Sequence, residues 1–462
     1  MSRLVIVSNR VANLRKTTQT GGLAVGLADA LKQRGGVWFG WSGNTKAAET
    51  GEQPKVDKIG KVTRVSIGLT KRDYAEYYLG YSNSVLWPLC HYRLDLVNFQ
   101  LAFFDGYVRV NQKFASSLVP FLEPDDLIWV HDYHLIPLAE ELRSRGCRQR
   151  IGFFLHIPFP PPDLLAAAPN HEYLVKCLSA YDLIGFQTEA DLTNFRRYIE
   201  ENSGAEKLPN GSMRMGGNSF RAGAFPIGID VDHFAEMAEK GSDEVAIDHM
   251  RRQMLGRKQV VGVDRLDYSK GLPDRFKAFE RLLEAHPDMH KKVSLLQIAP
   301  PTREDVQSYA DIREELELLS GAINGRFADF NWTPIHYLHR NVPRDKLAAL
   351  FRSSQIGFVT PLRDGMNLVA KEFVAAQERS DPGVLVLSQF AGAAEQMLEA
   401  LIVNPYDIDA MADALYRGLM MPLEERKERH EALLKRIKEG DARAWLTGFL
   451  AALENSRPTA TD

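Results

Sequence analysis

Between Thr360 and Glu372 the chain reads Thr-Pro-Leu-Arg-Asp-Gly-Met-Asn-Leu-Val-Ala-Lys-Glu, directly after the apolar run Ile356–Val359. The pattern predicts a buried strand, a turn broken by Pro361 and Gly365, and a helix that opens near Leu368. The first N–H groups of such a helix have no intrahelical acceptor and, with the positive end of the helix dipole, attract phosphate. Arg363 and Lys371 add positive charge beside that anion site, while Asp364 and Glu372 offer acceptors to hydroxyl groups. Phosphate and many hydroxyls together describe a sugar nucleotide.

Other reactive side chains also stand just after apolar runs. Arg10 follows Leu4–Val7 and Ser8-Asn9, where a partly solvated guanidinium can grip phosphate bidentately. Next, Thr20-Gly21-Gly22-Leu23 opens a helical pattern, and paired glycines let a ligand approach the backbone. His131-Asp132-Tyr133-His134 follows Leu127–Val130, and His156-Ile-Pro-Phe-Pro160 follows Ile151–Leu155. The histidines lack a third ligand at helical spacing, which sets a zinc site aside. Asp132 is either a helix cap or a ligand contact. After Gln259–Val263 comes Asp264-Arg265-Leu-Asp-Tyr-Ser-Lys270-Gly271, whose two cations flank a turn and suit a diphosphate that gains charge as it leaves. Arg303 stands after Val293–Ile298. Tyr77, Tyr78, Tyr81 and Trp87 form an aromatic cluster that is mostly core, with a hydroxyl or ring face available to a sugar or phosphate. The tripeptides Asp230-x-Asp232 and Asp407-x-Asp409 read as caps rather than as a metal site, so Arg265, Lys270 and backbone N–H groups are expected to neutralise the phosphates and no metal is expected.

These residues need elements to hold them. Strand-like runs alternate with helical patterns almost throughout, which implies parallel sheets covered by helices on both faces. With 462 residues the chain is too long for one ordinary core. The natural break is Pro226-Ile-Gly-Ile-Asp230, giving domains 1–229 and 230–439. The stretch Glu424–Glu454 reads as charged, amphipathic and helical, and a C-terminal helix of about 440–455 could return to the first domain. Residues 455–462 read as a frayed tail. Ligands of doubly wound sheets sit outside the carboxyl ends of the strands, so two such sheets facing a deep cleft would place the active site there. A net charge of -3 excludes bulk attraction to nucleic acid or anionic membrane. Three scattered cysteines, the absence of a leader-like start and the absence of a membrane-length apolar run lead us to expect a cytoplasmic protein with free thiols.

Taken together, Arg3–Arg10, Trp38–Gly43, Val85–Pro88, His91–Arg93, Asp105–Tyr107, His131–His134, His156–Pro160, Arg265–Gly271, Thr360–Glu372 and Ile402–Asp407 resemble the trehalose-6-phosphate synthase family over nearly the whole chain. The loop Ala12–Thr20 and the stretch Asn202–Asn218 match it poorly. The resemblance implies a GT-B fold of two Rossmann-like domains and a retaining, metal-independent transfer of glucose from UDP-glucose to glucose 6-phosphate. Both are substrates, no cofactor is implied, and family habit suggests a homodimer or homotetramer. Carried over by position, Arg10, Tyr78 and Arg303 would clamp the acceptor phosphate, and Trp41, Trp87 and Asp132 would contact the acceptor sugar. Gly21 and Gly22 would close over the donor phosphates, which Arg265 and Lys270 would neutralise. Asp364 and His156 would take the donor glucose hydroxyls. The donor segment continues through Gly365, Met366, Asn367, Leu368, Val369, Ala370 and Lys371, with backbone N–H groups from Leu368 and Val369 and a ribose contact from Glu372. The alternative is a sister enzyme with another acceptor, such as glycerol 3-phosphate, or a pseudo-glycosyltransferase.

Overall fold

A computed structural model describes residues 2–11, 27, 31, 35–46, 53–209, 211–242, 256–302 and 307–456. The chain forms two compact units, one of Met1–Pro226 with Trp445–Asp462 and one of Ile227–Ala444.

Among the described residues the first unit carries a ten-stranded sheet. Its strands are β1 (Leu4–Arg10), β2 (Gly36–Lys46), β3 (Lys55–Ile59), β4 (Val62–Thr70), β5 (Leu127–His131), β6 (Arg150–Phe154), β7 (Leu183–Phe186), β8 (Glu206–Lys207), β9 (Met213–Met215) and β10 (Asn218–Ala224), in the order β3-β4-β2-β1-β5-β6-β7-β10-β9-β8. The interior from β4 to β10 is parallel, while β3, β9 and β8 pair antiparallel at the two edges. β5 is buried at every residue, as a central parallel strand covered on both faces must be. The strand order reverses between β1 and β5, and there Arg10 and the His131–His134 run leave the sheet. The poorly matching stretch from Asn202 to Asn218 contains the short β8 and β9. The loop 12–20 lies outside the described residues.

The second unit carries β11 (Lys258–Val263), β12 (Val293–Ile298), β13 (Ile335–Leu338), β14 (Ile356–Val359), β15 (Val384–Ser388) and β16 (Leu401–Val403). All the pairings are parallel and the order is β13-β12-β11-β14-β15-β16. Numbered from β11, this is the 3-2-1-4-5-6 order of a doubly wound Rossmann sheet, with its reversal between β11 and β14.

The helical stretch expected over Glu424–Glu454 forms two helices, Leu423–Glu439 and Ala442–Glu454, broken at Gly440 and Asp441. Asp441 Oδ1 accepts from the Ala444 N–H and starts the second helix. From Trp445 onward the chain belongs to the first unit, where Phe449 stacks on Trp129 at 4.5 Å between ring centres. Glycines on β6 and β7 make the room: a Cβ at Gly152 or Gly185 would come within 2.9 or 2.7 Å of the Phe449 ring. No helix among the described residues is long and apolar enough to cross a membrane.

Candidate active site

In the first unit, Arg10 ends β1 with an exposed side chain whose guanidinium lies over Gly43, where a Cβ would stand 2.5 Å from Nε. The left-handed φ of +88° at Gly43 adds a second reason for glycine there. Trp41 is buried on β2, with its indole N–H donating to the Asn44 carbonyl at 2.8 Å. Facing it are Tyr74 and Tyr78, at 5.6 and 6.0 Å between ring centres. Both belong to Tyr74–Leu86, a π-helical segment that follows the capping box of Thr70 and Asp73. Side-chain bonds spanning five residues, from Asn83 to the Tyr78 carbonyl and from Ser84 to the Leu79 carbonyl, support the wide turns. Tyr77 and Tyr81 turn into the core, and Tyr78 stays half-buried, stacked on His134 at 5.8 Å. Trp87 is buried against His91 at 4.1 Å and Tyr133 at 5.8 Å.

Asp132 does not cap a helix. It has a left-handed φ of +78°, no capping hydrogen bond, and a carboxylate that accepts from the His156 backbone N–H at 3.3 Å. Such a conformation costs a non-glycine residue about 1–3 kcal/mol and collects at functional sites. His156 Nε2 lies 3.1 Å from His131 Nδ1, and its own Nδ1 lies 3.3 Å from the Gln187 amide nitrogen. With that amide as donor, His156 carries its proton on Nε2 and donates it to His131. Burial, and for His131 also the neighbouring ring, pushes both imidazoles down, His131 well below its ordinary range and His156 to about 3. The sequence reading had no place for Gln187, although it follows β7 as the other candidates follow their strands.

In the second unit the ends of β11 and β14 are stitched together. The Ser269 carbonyl accepts from the N–H groups of Leu362 and Arg363, and Asp267 holds the Ser269 amide and hydroxyl and the Tyr309 hydroxyl. Lys270 donates to Asp364 at 2.6 Å, and Asp364 also accepts from the Asn367 amide at 3.0 Å. The Asp364 backbone bridges to Phe390 and Gly392. Arg265 is exposed at the same strand end. Asn367 has a φ of +78° and caps the helix Leu368–Ala376 by accepting from the Ala370 N–H. The N–H groups of Leu368 and Val369 find no acceptor among the described residues, so the anion-attracting end of this helix is open. Gly365, Met366 and Ala370 are buried around this turn. Glu372 accepts from Arg344 at 2.8 Å, and burial pushes its carboxyl up against the opposing pull of that guanidinium.

Lys371 does not point toward the turn's ligand-facing groups. Its ammonium is buried and donates to the Ile227 carbonyl at 2.7 Å and to Gln396 at 2.8 Å, and burial lowers its pKa to about 7. The four acids of the Asp-x-Asp pairs serve locally: Asp230 and Asp407 cap helices, while Asp232 and Asp409 pair with Lys438 and Arg281. No cluster of three or more His, Cys, Asp or Glu side chains suited to a metal occurs among the described residues. Gly21, Gly22 and Arg303 lie outside the described residues.

The profile of glycosyltransferase family 20 matches residues 3–455. The trehalose-6-phosphate synthase of Klebsiella pneumoniae is 50% identical over all of this chain and 97% of its own length. A UDP-forming α,α-trehalose-phosphate synthase from Burkholderia xenovorans, solved in complex with glucose 6-phosphate, is 52% identical with a TM-score of 0.94, covering 98% of this chain and 100% of that one. An E. coli structure with UDP-2-fluoro glucose bound is 48% identical with a TM-score of 0.95, covering 99% and 100%. The two Rossmann-like units are those of the GT-B fold, and the chain belongs to glycosyltransferase family 20.

Proposed function

We propose that the protein transfers glucose from UDP-glucose to glucose 6-phosphate with retention, giving α,α-trehalose 6-phosphate and UDP. The observation that carries this reading is the paired Lys270 and Asp364 beside the open N-terminus of the helix Leu368–Ala376, at the strand reversal of a Rossmann sheet. An ammonium, a carboxylate and free N–H groups at one strand end suit a diphosphate joined to a sugar. Similarity over the full chain to a relative solved with glucose 6-phosphate and to one solved with a UDP-glucose analogue supports the choice of both substrates.

In this reading Arg265, Lys270 and the N–H groups of Leu368 and Val369 take the diphosphate, and Glu372 takes the ribose. Asp364 and His156 take the donor glucose hydroxyls. Arg10 and Tyr78, with Arg303, hold the acceptor phosphate, and Trp41, Trp87 and Asp132 its sugar. A carboxylate nucleophile with a partner acid would be needed for a double-displacement route. We assign instead a front-face route. The acceptor hydroxyl gives its proton to the leaving diphosphate oxygen and bonds to the anomeric carbon on the face the UDP leaves, while the protein positions both and stabilises the departing charge. No metal is required when cations and helix N–H groups carry that stabilisation.

Purified protein, dialysed against EDTA, should release UDP from UDP-glucose only when glucose 6-phosphate is present. Mass and anomeric coupling constants should identify an α,α-linked disaccharide phosphate. Turnover with glycerol 3-phosphate but not glucose 6-phosphate would replace the acceptor assignment. Loss of turnover with EDTA that magnesium restores would replace the metal-independent one.

A further inference from the structure

Beneath the Lys270–Asp364 pair lies a second ion pair that no substrate contact requires. Arg275, on the first turn of the helix Leu272–Ala285, has no exposed surface. Its Nη1 donates to Asp264 at 2.8 Å and to Gln297 at 2.9 Å, and its Nε donates to the Thr360 hydroxyl at 3.1 Å. Asp264 follows β11, Gln297 belongs to β12 and Thr360 follows β14, so one guanidinium joins three strands at the reversal of the sheet. The chain leaves room for it: a Cβ at Gly262 would stand 2.6 Å from Nη1 and 2.4 Å from the Gln297 oxygen.

Stability alone is a poor reason for such a group. A buried ion pair contributes little over well-packed apolar side chains of the same volume, because both charges must be desolvated. Position is a better one. Burial pushes the Asp264 carboxyl up, and the charges of Arg275 and Lys270 oppose that shift while Asp364 adds to it. Arg275, Asp264, Lys270 and Asp364 therefore form a short array of alternating charge. Without Arg275, Asp264 would be a buried carboxylate with no ion-pair partner of its own, left to draw on the charge of Lys270.

We propose that Arg275 is a positioning residue for the donor site: by satisfying Asp264 and tying it to Gln297 and Thr360, it keeps the Lys270 ammonium directed at the diphosphate. This rests on the assignment of Lys270 to the donor diphosphate.

The test is calorimetric titration of UDP into the full-length wild type, Lys270→Ala, Arg275→Lys and the double variant, with KM measured for both substrates. Arg275→Lys should weaken UDP binding and raise the KM for UDP-glucose about tenfold, with the KM for glucose 6-phosphate changed by less than about twofold, and its effect on UDP should vanish once Lys270 is alanine. If Arg275→Lys does not fold, Thr360→Val serves in its place, with a shift in the same direction of about threefold. Unchanged UDP affinity in a folded Arg275→Lys protein that only melts earlier, or losses additive with those of Lys270→Ala, would overturn the proposal while leaving the donor assignment intact. Wild-type UDP affinity in Lys270→Ala would instead overturn the donor assignment itself.

Discussion

At the scale of single residues, charge and burial set roles that residue type alone does not. Arg265 is exposed at the end of β11, where a departing diphosphate gathers negative charge in the proposed reaction. Arg265→Ala should lower kcat about 100-fold or more, the usual effect of losing one group that stabilises transition-state charge, with a smaller change in the KM for glucose 6-phosphate. Steady-state kinetics with both substrates varied would show it, and an unchanged kcat would remove Arg265 from that role. His131 and His156 make a different prediction. Both are held neutral by burial, His156 down to about 3, so the unfolded chain takes up their protons first as the pH falls. Stability from these rings is fully present above about pH 6.5 and is lost below it, by up to about 1.4 kcal/mol per pH unit for each ring. In ¹⁵N-histidine-labelled protein, His131 and His156 among the 12 histidines should keep neutral-imidazole shifts at pH 5 with the proton on Nε2. Ordinary titration of all twelve near pH 6.5 would contradict the arrangement. The candidates legible in the sequence were those directly after strands, because a doubly wound sheet presents its strand ends to ligand. Arg275 was not legible: in Pro273–Lys277 it reads as one more charge on a solvated helix, and only its burial sets it apart.

At the scale of elements, a strand end is useful only if the turn after it holds the next helix at the right start. Asn367 does two things there: it adopts a left-handed φ of +78° and caps the Ala370 N–H, leaving those of Leu368 and Val369 open. Asn367→Gly retains the backbone freedom but loses the cap, worth a few tenths of a kcal/mol when glycine replaces it, and the amide's bond to Asp364, for a total of about 1–2 kcal/mol. Asn367→Ala loses the same two bonds and takes on left-handed strain, together about 3–4 kcal/mol. Urea unfolding should therefore rank wild type, Asn367→Gly and Asn367→Ala in falling order, with UDP affinity in the same order. Equal stability of the two variants would mean that the conformation carries no cost here. The strands Val293–Ile298 and Ile356–Val359 were legible to the residue as short apolar runs. The π-helical Tyr74–Leu86 was not, since its aromatic spacing fits an ordinary helix and the wider turns depend on Asn83 and Ser84 bonding back to the chain. The β3 edge strand was missed because Lys55–Ile59 is largely exposed and charged, as an edge strand that avoids mispairing must be.

At the scale of the whole molecule, the first unit is not contiguous in sequence: it includes the residues from Trp445 onward, whose helix covers part of its sheet. This return was only partly legible. Glu424–Glu454 reads as a charged amphipathic stretch with a C-terminal helix from about 440, and what that helix covers appears only once Phe449 has a place to go. That place is specific. Phe449 has no exposed surface, stacks on Trp129, meets Phe154 and Phe225 edge-on at 5.7 and 5.2 Å, and sits over two glycines on β6 and β7. Backbone that glycine leaves bare can be covered only by a side chain arriving from elsewhere, so β6 and β7 depend on the last helix for their core. Phe449→Ala should cost about 3–5 kcal/mol, because the strands cannot collapse into the space of a lost ring. The loss should be local to its unit. In hydrogen exchange of the full chain, peptides from β5, β6 and β7 should exchange faster while those from β11 to β15 keep their wild-type protection. Equal acceleration in both sets would mean that the two units unfold as one cooperative body and that the closing helix stabilises more than the sheet it covers.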